Sequence, residues 1–360
     1  MPLFENNSNI LSKKVLNGED DSDVLENVST NSNSDNDIYI IKIEGPFVNS
    51  KTNPIKYVSR FHKYRYYVYF NRQLKQSELK SLKWAVSFDD NDSTSSFFLF
   101  SSGTLENGAV RVEIKISEGI NSFRIYSYLG GVPNNKIYTE AFFKKTVALF
   151  IGGAGDKEAY AGTGPTNIIQ LEVQNPFDSI ITIQPQEQLN LNDYKSLYLG
   201  YNEAYKNKIA SNIISELNKI AEPKGLSINI IGHSLGGWNG AHLSQILTRS
   251  KYKIEILITL DPVGTKEGVT LVSDIYRPYP YSIYKYWINI QSSPTQYEAD
   301  DYIAWLGGQW EPDKEKPNNY IIVDYHHREA SKMFTEKIAG NFDSSDILLA
   351  HIQSYLNAKI

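Results

Sequence analysis

Residues 226–240 constrain the fold more than any other stretch of this chain. Leu226, Ile228, Ile230 and Ile231 form an apolar, β-branched run that stops abruptly at Gly232, and a helical pattern begins at once. A strand that enters a helix through Gly232-His233-Ser234-Leu235-Gly236 is the context in which G-x-S-x-G forms a tight elbow around a nucleophilic serine. The glycines on either side let strand and helix approach closely and lift the Ser234 hydroxyl clear of the backbone. A Gly-rich connection with an incidental serine is the competing reading. The strand before and the helix after the turn favour the nucleophile.

The chain has 360 residues, enough for two domains or for one large domain with an extension. A hydrophobic content of 41% and a charged content of 21% are those of an ordinary globular protein. The net charge of −5 gives no support for a nucleic-acid partner or for attraction to an acidic membrane. There are no cysteines, which excludes disulfides, thiol catalysis and thiolate metal sites without fixing the compartment. The first residues lack a basic region followed by an apolar core, so no secretory signal is expected. No apolar run approaches membrane-spanning length. The protein is thus expected to be cytoplasmic when made, and any export would use a route without a cleavable leader.

Residues 1–37 are rich in Asn, Ser and Asp and lack periodicity, which predicts a flexible tail. From 38 to 143, short alternating runs such as residues 38–43, 66–70, 82–86, 97–100, 110–116 and 123–126 are separated by Asn, Asp, Gly and Ser. That spacing predicts an all-β, sandwich-like module with one helical turn at 76–82. It carries no cluster of reactive side chains, and His62 reads as a packed or surface residue, so the module is taken as a docking domain of unknown partner.

From 146 to 360, strands alternate with helices, the mark of an α/β fold with a mostly parallel sheet and helices on both faces. Strands are expected at 146–151, 195–199, 226–231, 254–260, 286–290 and 320–323. Helices are expected from about 209 to 220, after the elbow, from about 328 to 339 and from 345 to 358.

A serine hydroxyl needs a base to take its proton, and the base needs an acid to hold its tautomer. Asp261 ends the apolar strand 256–260, where carboxyl ends of parallel strands face the ligand crevice. Its rival is the cluster Glu298, Asp300 and Asp301, one strand later. For the base, His326 and His327 directly follow the last core strand, and His327 is preferred. His351 and His242 read as helix packing, and His233 as support for the elbow. An oxyanion hole would take the Leu235 backbone N–H and a second donor from the Gly-rich loop 151–156, where Gly153 and Ala154 fit best. Asp156 either orients that loop or is a surface charge. The loop lacks the complete phosphate-binding patterns.

With Gly232-His233-Ser234-Leu235-Gly236-Gly237, Leu260-Asp261-Pro262 and the 152–156 loop in view, residues 146–340 resemble the lipase and esterase branch of the α/β-hydrolase superfamily. The resemblance implies Ser234 as nucleophile, Asp261 as acid and a histidine near the chain end. The His-Gly oxyanion motif usual in that branch is absent. In architecture the chain also resembles lipase-type effectors of bacterial type VI secretion, which implies a secretion-apparatus or immunity-protein partner.

Tyr276, Tyr279, Tyr281 and Tyr284 between 265 and 285, and Trp305, Leu306 and Trp310 between 297 and 317, would either wall an apolar acyl site or pack their loops onto the sheet. The leading expectation is a serine lipase or phospholipase acting on a lipid or other acyl ester, with peripheral membrane contact and no metal or organic cofactor. The alternatives are a thioesterase or peptidase on the same scaffold, or a binding protein with an inactive hydrolase domain.

Overall fold

The computed structural model describes residues 10–11, 37–48, 53–89, 98–100, 103–116, 120–130, 136–162, 164–185, 188–312 and 317–358. Of the expected tail, all but 10–11 and 37 lies outside the described residues. The chain divides into two compact units, one within Met1–Phe143 and one spanning Lys144–Ala358.

Among its described residues the first unit is all-β apart from one helical turn, α1 (Gln76–Leu79). One of its sheets runs in the order β1 (Ile10–Leu11), β8 (Ala109–Ile116), β4 (Tyr64–Phe70), β2 (Ile40–Phe47), with β7 (Thr104–Glu106) also on β8. The other runs β3 (Tyr57–Val58), β10 (Tyr138–Phe143), β9 (Ser122–Leu129), β5 (Leu82–Phe88), β6 (Phe98–Phe100). Successive strand side chains point to opposite faces, so β8 buries Val110, Val112, Ile114 and Ile116 while the residues between them are half-exposed. These side chains share one core with Val68, Trp84, Val86 and Ile125, drawn from both sheets. His62 is half-buried.

The second unit is built on a six-stranded parallel sheet ordered β12 (Tyr194–Gly200), β11 (Lys145–Gly152), β13 (Leu226–His233), β14 (Lys253–Leu260), β15 (Tyr286–Ser292), β16 (Asn319–Val323). Both faces are covered, which is why the central strands read as continuous apolar runs. On one face Val147, Leu149 and Ile151 pack with Ile213, with Leu217 of α3 (Ser215–Ile220) and with Ala241, Leu243 and Leu247 of α4 (Leu235–Arg249). On the other, Ala148 and Phe150 meet Phe177 and Ile181 of α2 (Asn175–Ile183), Met333 of α7 (Ala330–Phe334), and Leu348 and Ile352 of α8 (Ser344–Asn357).

Several stretches of the second unit differ from the sequence-based expectation, and helices form at α5 (Glu267–Val272) and α6 (Ala299–Gly307) where loops were expected. The helix expected over 328–339 stops at Phe334, where the Thr335 hydroxyl bonds back to the Ser331 carbonyl at 3.0 Å. Gly340 at φ +64° then turns the chain into a hairpin of β17 (Lys337–Ala339) and β18 (Phe342–Asp343). A helical segment over 169–183 forms where no helix was expected. Pro176 lies inside that segment, where the wider π-type turns of Ile169–Gln174 give way to α2, and the widened turn accommodates a ring and a missing N–H that regular α-helix would not. Among the described residues, no helix is long and apolar enough to cross a membrane.

Candidate active site

Ser234 is the residue between β13 and α4, with φ 56° and ψ −126°. Few L-residues adopt that conformation, and here the surroundings enforce it. The Ser234 N–H donates to the Leu260 carbonyl at 3.1 Å, and its own carbonyl accepts the N–H groups of Gly237 at 3.0 Å and Val263 at 3.1 Å. The glycines are required by distance. A β-carbon on Gly232 would stand 2.4 Å from the Gly236 carbonyl oxygen, and one on Gly236 would stand 2.3 Å from that of Ile151.

His327 follows β16 and presents its Nε2 to the Ser234 hydroxyl at 2.9 Å. Its Nδ1 lies 2.5 Å from Asp261 Oδ2. A carboxylate only accepts, so Nδ1 carries the proton and Nε2 is the free lone pair facing the serine. Asp261 is fully buried at the end of β14, with φ 41°. Its other oxygen is held by the Gln291 side-chain amide at 2.7 Å, the Gln309 amide at 2.9 Å and the Ser292 backbone N–H at 3.1 Å. Four donors in all keep that carboxylate in place. Ser234, His327 and Asp261 thus form one hydrogen-bonded chain at the carboxyl edge of the sheet, able to draw a proton from a hydroxyl that attacks an electrophile.

The adjacent histidine is turned away. His326 Nδ1 meets Asp301 Oδ2 at 2.8 Å, and its Nε2 lies 3.5 Å from Glu298. The hydrogen bond to Asp301 raises its pKa above the usual 6.5. The rival acids Glu298, Asp300 and Asp301 lie at the start of α6 (Ala299–Gly307) and contact the backbone or neighbours of His327, while the His327 Nδ1 goes to Asp261.

His233 packs its ring 4.7 Å from that of His327, and its Nε2 donates to the His327 carbonyl at 2.7 Å. Burial, with the His327 ring as a second cause, pushes its pKa down to about 3, so it is a fixed neutral donor. His242 bonds the Pro278 carbonyl at 3.0 Å and faces the Tyr276 ring, and burial lowers its pKa to about 4. His351 packs on Tyr286 within α8.

The Gly-rich loop runs past the serine. A β-carbon on Gly153 would be 3.1 Å from the Ser234 hydroxyl oxygen, and Ala154 is next along the loop. Leu235 opens α4, and the first N–H groups of a helix have no partner within it. Asp156 is buried and orients the loop: it accepts the Ile169 N–H at 3.2 Å and the Tyr198 hydroxyl at 3.1 Å. Burial raises its pKa despite those donors. The surface-charge reading of Asp156 is therefore overturned.

The two aromatic insertions divide between packing and exposure. Trp310 is buried against Trp238 and Trp287, and the half-buried Tyr276 packs against Tyr205 and His242. By contrast, Leu271 and Val272 of α5 (Glu267–Val272) and Tyr302, Ile303, Trp305 and Leu306 of α6 are each more than half exposed. The two helices touch each other, and the chain after α6 is tied to that before α5 by N–H bonds from Gly264 and Thr265 to the Gly308 carbonyl.

Sequence reasoning missed Gln291, Gln309 and the tie from Asp301 to His327. Only the Glu298-to-Asp301 capping spacing hinted at a structural use for that acid.

No family model matches the chain, and no curated protein is significantly similar to it. Among solved structures, the Lin-41 filamin domain is similar at 19% identity over 28% of this chain and 98% of its own, with a TM-score of 0.20, too low to carry an argument.

Proposed function

We propose that the second unit is a serine hydrolase of the α/β-hydrolase type that cleaves carboxylic esters through an acyl-enzyme on Ser234. The observation that carries this reading is the unbroken chain Ser234–His327–Asp261, with bonds of 2.9 and 2.5 Å. In the first half-reaction the Ser234 oxygen attacks the ester carbonyl while His327 Nε2 takes its proton. The imidazolium is stabilised by Asp261 and then protonates the departing alkoxide, leaving the serine ester. In the second half-reaction water replaces the alcohol, His327 takes its proton, and collapse of the intermediate returns the proton to Ser234. The N–H groups of Leu235 and of Gly153 or Ala154 serve the negative oxygen of both tetrahedral intermediates. The exposed apolar side chains of α5 and α6, tied to the segment that follows Asp261, support a lipid substrate and hence lipase or phospholipase action.

Labelling with a fluorophosphonate, read by intact mass, tests the proposal. One adduct on the wild type and none on Ser234→Ala is expected; an equal adduct on both, or none on either, overturns it. A panel of acylglycerols, phospholipids, thioesters and peptides then separates lipase from the alternative chemistries.

A further inference from the structure

A second carboxylate–imidazole pair lies directly behind the reacting one. Asp301, in the first turn of α6, is 3% exposed. Its Oδ1 accepts the backbone N–H of His327 at 2.7 Å. Its Oδ2 accepts the backbone N–H of Glu298 at 2.8 Å and meets His326 Nδ1 at 2.8 Å. Asp300 accepts the Arg328 N–H at 2.9 Å, and the Glu298 carboxylate meets the Arg328 guanidinium at 3.0 Å. The start of α6 thus holds three consecutive residues, 326–328. Just past the other end of that helix, Gln309 donates to Asp261 at 2.9 Å.

His327 sits in a connection between β16 and α7, outside any strand or helix. Its backbone is held from both sides by side chains, with Asp301 on the N–H and His233 on the carbonyl. A base whose ring must meet a hydroxyl on one side and a carboxylate on the other tolerates little displacement, and a misplacement of about 1 Å can cost on the order of 100-fold in rate. We propose that Asp301 is a positioning residue for the catalytic base, steadied by His326, and that α6 is the strut that sets base and acid at a fixed separation. The inference rests on the hydrolase reading above.

The test compares full-length wild type, Asp301→Asn, Asp301→Ala and His326→Ala with a dissolved short-chain p-nitrophenyl ester, well below each melting temperature. The Ala variant at 301 is expected to lose about 10- to 100-fold in kcat with KM changed less than about threefold. Asparagine keeps one acceptor for the His327 N–H and is expected to recover part of that loss, and His326→Ala to lose only a few-fold. A second readout needs no turnover: the downfield proton resonance of His327 Nδ1, shared with Asp261, should shift or broaden in Asp301→Ala. Should that variant not fold, the same resonance and rates in Asp301→Asn and His326→Ala carry the test. Wild-type kcat and an unmoved resonance in the folded 301 variants would overturn the proposal. An inactive wild type that shows the resonance would instead count against the hydrolase reading, and the resonance in the variants would still decide the role of Asp301.

Discussion

A β-carbon on Gly153 would stand 2.6 Å from the β-carbon of Ser234, so the Gly-rich loop and the elbow are in contact through the glycine's bare backbone. Gly153→Ala must push the two apart. It is expected to lower kcat at least about tenfold and to cost about 1–3 kcal/mol of stability, as overpacking does. Steady-state kinetics and a urea melt check both; a fully active alanine variant would show that the loop yields freely.

Ser234 adopts a conformation with positive φ that a β-carbon disfavours. Ser234→Gly and Ser234→Ala both remove the hydroxyl, so the difference between them isolates the backbone. The glycine variant is expected to be the more stable by about 1 kcal/mol, although neither reacts with a fluorophosphonate. A higher melting temperature for the alanine variant would contradict the strain.

Asp261→Asn changes the tautomer more than the shape. An amide N–H facing Nδ1 would place the imidazole proton on Nε2, toward Ser234, and leave no lone pair for the hydroxyl. The loss in kcat is expected to be roughly 10³- to 10⁴-fold, with fold and KM nearly preserved. Gln309→Ala removes one of four donors to the carboxylate and is expected to cost only about tenfold.

Stability should fall on the acid side. His233 and His242 have folded pKa values of about 3 and about 4, below the 6.5 of an unfolded imidazole. The unfolded chain therefore binds protons that the folded chain refuses, and stability declines as pH drops below 6.5, until each folded pKa is reached. Within that window each such histidine costs on the order of 1.4 kcal/mol per pH unit. Denaturant midpoints at pH 7 and 5 measure the decline, and His242→Gln should make it shallower. His326 has the opposite sign. Its raised pKa makes its pairing with Asp301 fully stabilising below 6.5 and lost as pH rises through the raised value. His326→Ala should therefore be more damaging at pH 6 than at pH 9.

If the apolar face of α5 and α6 receives lipid, Trp305→Ser combined with Leu306→Ser should reduce turnover of an emulsified long-chain ester by roughly tenfold or more. The loss on a dissolved short-chain ester should be much smaller. Equal losses on both would remove the surface from the substrate path.

The parts of the site that sequence made legible are those encoded locally. The run into Gly232, the helix after Ser234 and the placing of Asp261 at a strand end all follow from period and turn chemistry within a few residues. The choice between His326 and His327 does not. Neighbouring residues in an irregular connection point in different directions, and what orients them comes from 25 and 66 positions away, at Asp301 and Asp261. The carboxylates around α6 read as a rival acid for the same reason. Their charge is visible in sequence, but their use depends on a tertiary contact. Pro176 hid a helix because proline normally breaks a helix in its middle, and here it is accommodated where π-type turns give way to α2.

His233 stands opposite Leu260 in the parallel pairing of β13 with β14, so Ser234 and Asp261 leave the sheet at the same level. A slip of one residue between these strands would move one against the other by about 3.3 Å and would turn each following side chain to the wrong face. No rotamer change spans that error. The apolar side chains that lock the strands from both faces therefore act as an alignment jig: the tolerance on a proton transfer is set by the machining of the sheet.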